Sequence, residues 1–197
     1  EETVRNALRL VREGGAQAVK LEGGHKRASL VQDLVEADIP VMGHIGILPQ
    51  SVHPRGGYKV QGRTVEEARE LLVDALALEA AGAFALVLEG VPAQVAARIT
   101  DRLQIPTIGI GAGGGCDGQI LVFHDVVGLS LGPTPKFARK YADLAGNIRK
   151  ALGEFAEDIR AQNFPSTAET YACKELPEDW DASVEAQSLA PEIRLRN

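Results

Sequence analysis

Lys20 and Glu22 are separated by one residue in the apolar run Val19-Lys20-Leu21-Glu22, which two glycines then stop. In an extended strand, side chains two apart share a side, so an ammonium and a carboxylate would face the same space. Such a pair at a strand's carboxyl end can hold an anionic oxygen and a hard cation. Ala85-Leu86-Val87-Leu88-Glu89-Gly90 repeats the pattern: an apolar run, a terminal glutamate, a glycine. A carboxylate at the end of so apolar a strand is partly desolvated, which suits a general base at neutral pH. His44, in Met42-Gly43-His44-Ile45-Gly46, is a third candidate and could donate to a substrate oxygen. Each of these residues can also be read structurally, as an ion pair at a strand end or a satisfied histidine.

Other stretches offer less. Gly109 to Gly118 has the composition of a phosphate cradle but lacks G-x-x-x-x-G-K-[ST], and no helix obviously opens on its G-x-G-x-x-G-like part. A tight turn allowing close approach is the better reading. His25, His53 and His124 have no metal-ligand spacing, which argues against zinc. Ser51 has no G-x-S-x-G elbow, which argues against a serine hydrolase.

The elements that must position these groups alternate. Thr3 reads as the N-cap of a first helix ending at Gly14-Gly15, and the Lys20/Glu22 strand follows. Leu30, Val31, Leu34 and Val35 mark a second helix, and the His44 strand comes next. The polar, glycine-rich segment 48–63 has the length of an active-site cover, and we expect it to close over substrate. Thr64 and Glu67 form a T-x-x-E capping box that opens a helix to about Ala81. The Glu89 strand follows, then a helix from Pro92 to about Leu103, a strand at 105–110 and a fifth at 119–123. Thr134-Pro135 predicts the start of a last helix running to about Arg160, and an acidic, extended arm follows from Glu169. Nearly all-apolar strands alternating with helices predict a parallel α/β sheet covered on both faces. An open doubly wound sheet expects one dominant glycine loop. Polar groups at the carboxyl ends of several strands instead favour a (β/α)8 barrel.

With 197 residues, the chain can bury a sizeable core. Its formal net charge of −6 gives no general pull toward nucleic acid or an anionic membrane. No apolar run approaches the roughly 20 residues that span a bilayer. Cys116 and Cys173 are far apart and outside any C-x-x-C, so reduced thiols and a cytoplasmic setting are expected. The chain opens at Glu1 and its only methionine is Met42, so a piece of something longer is expected.

Taken in order, V-K-L-E-G-G at 19–24, M-G-H-I-G-x-x-P-Q at 42–50, G-G-Y-K-V-Q-G-R at 56–63, L-V-L-E at 86–89 and P-T-I-G-I-G-A-G at 106–113 resemble the ketopantoate hydroxymethyltransferase family. D-G-Q-I-L-V at 117–122 and G-P-T-P-K-F-A-R-K-Y at 132–141 agree. The resemblance implies a (β/α)8 TIM barrel of which this chain holds the last five β/α units, with residues 1–165 as the partial barrel and 166–197 as a C-terminal acidic extension. It implies hydroxymethyl transfer from 5,10-methylenetetrahydrofolate to 3-methyl-2-oxobutanoate, giving 2-dehydropantoate for pantothenate and coenzyme A, in a Mg2+-dependent homo-oligomer. Glu89 would be the base that removes the C3 proton, Lys20 and His44 substrate-binding residues, and Glu22 part of the metal site. The family's early strands carry metal-binding aspartates that have no counterpart here, so the isolated chain is expected to be inactive and poorly stable. The rivals are a Mg2+-dependent 2-oxo-acid lyase or mutase barrel, whose K-[KR]-C-G-H loop is absent, and a non-catalytic fragment or assembly subunit.

Overall fold

The computed structural model describes residues 1–48, 60–173, 175 and 177–181. Residues 49–59, 174, 176 and 182–197 lie outside this set, and with them Ser51, His53, most of the covering segment expected at 48–63 and most of the extended arm expected from Glu169. The chain forms two compact units, Glu1–Ala145 and Gly146–Asn197.

The first unit opens with α1 (Glu2–Arg12), β1 (Val19–Glu22), a 3-10 turn (His25–Arg27) and α2 (Ala28–Glu36). It continues with β2 (Val41–Gly46), α3 (Val65–Ala80), β3 (Ala85–Glu89), α4 (Ala93–Thr100), β4 (Thr107–Ile110), β5 (Gly118–Gln119) and α5 (Phe123–Val126). All neighbouring strands pair in parallel, in the order β1-β2-β3-β4-β5. A doubly wound sheet reverses its strand order at a switch point; strictly sequential order is that of a barrel wall. The described sheet is therefore part of a (β/α)8 wall, as expected.

The period of two divides the strands into two faces. Val41, Ile45, Leu86 and Leu88 turn one way and join Val31, Leu34, Leu71, Leu78 and Ile99 of the helices in one core. Leu34, Leu78, Leu86 and Leu88 are fully buried, and truncating any of them to alanine would cost about 2–5 kcal/mol. The opposite parity carries Lys20, Glu22, Met42, His44, Val87 and Glu89. Register aligns these residues, with Glu22 opposite His44 and His44 opposite Val87.

Thr64 caps α3 as expected, its hydroxyl accepting from Glu67 N–H at 3.2 Å. Glu67 turns back not to the cap residue but to the N–H groups of Gly62 (3.1 Å) and Arg63 (2.8 Å). Several expected boundaries are corrected. Thr3 lies inside α1, whose N-cap is Glu1. α4 ends at Thr100, before Leu103. The fifth strand is two residues long, and Phe123 opens a short helix instead of ending that strand. The last helix, α6, starts at Leu144, ten residues beyond Thr134. The N–H groups of Tyr141 and Leu144 donate instead to the carbonyls of Val126 and Val127 at the end of α5, so this stretch is committed to another turn.

α6 (Leu144–Arg160) starts at the end of the first unit and continues into the second, where a 3-10 turn at Thr167–Glu169 follows with a complete capping box between Ser166 and Glu169. Those hydrogen bonds, from the Ser166 hydroxyl first and then its N–H, hold the Glu169 carboxyl below the ordinary carboxylate range.

Candidate active site

The four residues singled out in the sequence meet on one face of the sheet. β1 brings Lys20 and Glu22, β2 brings His44 and β3 ends in Glu89. His44 is the hub and is only 1% exposed. Its Nδ1 lies 3.5 Å from Lys20 Nζ and 3.6 Å from Glu22 Oε1. Its Nε2 lies 3.2 Å from Glu89 Oε2. That approach is short but poorly aligned, so Nε2 makes no hydrogen bond among the described residues. A buried ring nitrogen without a protein partner is costly unless a water, an ion or a ligand completes it. Lys20 Nζ and Glu22 Oε1 are 4.0 Å apart.

Backbone geometry fixes where Glu89 stands. Its carbonyl accepts from Ile47 N–H at 2.8 Å, and Gly90 N–H donates to Ile110 at 2.9 Å. Gly46 runs alongside at φ +99°, and a Cβ there would lie 2.1 Å from the Glu89 carbonyl oxygen. Only glycine allows β2 and the end of β3 to approach so closely.

The expected cation is Mg2+. A hard cation seeks six or more oxygens, mostly carboxylate. Among the described residues no group of three or more His, Cys, Asp or Glu side chains could hold a metal ion. Glu22 offers one carboxylate, already beside an ammonium and an imidazole. The described residues alone therefore do not fit a Mg2+ site.

Two clusters escaped the sequence reading. Asp117, at the end of the glycine loop, accepts from Thr107 N–H (2.8 Å) and from the Thr107 hydroxyl (3.1 Å), tying that loop to β4. The Thr107 N–H, then its hydroxyl, holds the Asp117 carboxyl below its ordinary value. These bonds support the reading of the glycine loop as a structural turn. The second cluster joins His25, just after β1, to Asp74 on α3 at 2.6 Å. The two residues are 49 apart in sequence, so no local pattern links them.

Comparison with known proteins bears on the family. The family described as ketopantoate hydroxymethyltransferase matches residues 1–167. A curated 3-methyl-2-oxobutanoate hydroxymethyltransferase of Koribacter versatilis is 53% identical over 184 residues, covering 93% of this chain and 61% of the relative. One of Trichlorobacter lovleyi is 52% identical over 171 residues, covering 87% and 64%. A third, 3-methyl-2-oxobutanoate hydroxymethyltransferase 2 of Bradyrhizobium diazoefficiens, is 57% identical over 171 residues, covering 87% and 58%. The chain thus spans about 60% of the length of these curated relatives. With the family match extending over most of its length and a sequential parallel α/β sheet beneath it, the chain belongs to the ketopantoate hydroxymethyltransferase family.

Proposed function

We propose that this chain carries the acid–base half of hydroxymethyl transfer from 5,10-methylenetetrahydrofolate to 3-methyl-2-oxobutanoate, giving 2-dehydropantoate. The supporting observation is the convergence of Lys20, Glu22, His44 and Glu89 on one sheet face, around a buried imidazole whose Nε2 makes no hydrogen bond among the described residues. Glu89 removes the C3 proton of the 2-oxo acid. The resulting enolate carbon attacks the one-carbon unit, and Glu89 returns its proton to the new alkoxide. Proton removal beside a carbonyl is feasible only where the growing enolate oxygen is stabilised. Lys20 binds an anionic oxygen of the substrate. In this reading His44 binds the substrate beside the base, its Nε2 lying 3.2 Å from Glu89 Oε2 and carrying the ring hydrogen that donates to a substrate oxygen.

In this proposal residues 1–165 are the partial barrel and 166–197 an extension, and the intact enzyme is a cytoplasmic homo-oligomer. Glu22 contributes one carboxylate to any Mg2+, and the remaining oxygens come from outside the described residues. Exchange of the C3 hydrogen of 3-methyl-2-oxobutanoate for deuterium, followed by NMR, tests the assignment. In Glu89→Gln the exchange should fall by about 10²–10⁴-fold, the usual contribution of a positioned base. Unchanged exchange in that variant would refute the role of Glu89.

A further inference from the structure

A polar cleft of about 380 Å3 opens beside Glu22, lined also by His25, Lys26, Arg27, Glu70 and Asp74. None of these last five residues has a part in the enolisation described above. His25 is fastened in the cleft twice by one oxygen. Its backbone N–H donates to Asp74 Oδ1 at 2.7 Å, and its ring Nδ1 lies 2.6 Å from the same atom. A carboxylate can only accept, so Nδ1 carries a hydrogen toward Asp74 and Nε2 is the ring nitrogen left to meet a ligand. Nε2 has no hydrogen-bond partner among the described residues, and the side chain is 52% exposed, within reach of a ligand. Gly24 makes this arrangement possible: a Cβ there would lie 1.9 Å from Asp74 Cγ. An ordinary surface ion pair needs no such clearance.

We propose that His25, oriented by Asp74, is the acid–base catalyst for the one-carbon donor, working beside the Glu89 centre. The inference rests on the hydroxymethyl transfer proposed above and assigns its second half. The donor carries a methylene carbon between two amine nitrogens. The imidazolium gives its Nε2 proton to one nitrogen as that C–N bond breaks, the electron pair staying on nitrogen. Water adds to the iminium carbon, and Nε2 takes the proton that the water sheds. The same proton then goes to the second nitrogen as its C–N bond breaks. The carbinol hydroxyl returns a proton to Nε2 as the formaldehyde C=O forms. The enolate carbon attacks that carbon, and Glu89 protonates the alkoxide. Lys26 and Arg27 in the same cleft match the glutamate carboxylates of a folate, and Glu70 matches the N–H edge of its pterin.

The test uses the intact protein, with tetrahydrofolate as the binding probe. The ring signals of His25, assigned by their loss in His25→Gln, should move on adding tetrahydrofolate and stay in place with the 2-oxo acid alone. In His25→Gln, hydroxymethyl transfer should fall by about 100-fold or more while C3 deuterium exchange falls by less than about 3-fold, since acid–base help at the donor leaves enolisation to Glu89. Gly24→Ala, which keeps His25 but displaces Asp74, should also lower transfer selectively. Ring signals unmoved by tetrahydrofolate, transfer within about 3-fold of wild type, or an equal loss of both reactions would overturn the proposal. Absence of C3 exchange in the wild-type protein would sink the hydroxymethyl-transfer reading instead, and the His25 signals would still decide whether the cleft binds the folate.

Discussion

Glu89 and Lys20 differ in what they are asked to do, and their variants should differ accordingly. Loss of the base acts on turnover, as described. Lys20→Met removes a charge-assisted contact worth about 1.5–3 kcal/mol, so KM for the 2-oxo acid should rise by about 10–150-fold with a smaller change in kcat. Steady-state kinetics would separate the two effects, and an unchanged KM would remove Lys20 from substrate binding. Asp117 makes a different prediction. Its carboxyl is held below the ordinary value of 3.8, first by the Thr107 N–H and then by the Thr107 hydroxyl. A depressed carboxyl stabilises the fold at pH above the unfolded value and loses that contribution as pH falls through the folded one. The stability difference between wild type and Asp117→Asn should therefore be constant near neutrality and shrink below pH 3.8. Thermal melts across this range would check it, and a difference independent of pH would count against it.

At the scale of elements, the close approach of β2 to the end of β3 is the most sensitive feature. Gly46→Ala places a Cβ against the Glu89 carbonyl oxygen at a backbone angle that L residues rarely adopt. Strain of this kind costs about 1–3 kcal/mol, and its relief would shift Glu89. Both the melting temperature and C3 exchange should drop in this variant. A stable Gly46→Ala protein with normal exchange would show that the approach is unnecessary. The elements themselves were uneven in how well they could be read. Strands β1 to β3 were legible because each is a short apolar run with a polar residue at its carboxyl end. The starts of α5 and α6 were not, because the choice between helix and turn at 134–143 depends on hydrogen bonds to α5 carbonyls distant from any local signal.

At the scale of the molecule, β1 and β5 each have a single strand neighbour among the described residues. Unpaired edges invite association with other strands. The 197-residue chain alone should therefore self-associate and unfold with low cooperativity. Size-exclusion chromatography and denaturant melts would test this, and a monomer with one sharp transition would contradict it. The metal gives a second test at this scale. Calorimetric titration of the isolated chain should detect little Mg2+ binding, with or without 3-methyl-2-oxobutanoate. Tight, substrate-coupled binding would mean that residues 49–59 or the tail complete the ligand set.

The sequence by itself determined the parallel α/β class, the family and which side chains share a strand face. All three follow from short-range periodicity and from ordered motifs. Tertiary structure alone decided that His44 sits buried between Glu22 and Glu89, because that depends on strand register. It likewise brought His25 to Asp74, since strand order and helix packing set distances between residues that the chain itself keeps far apart.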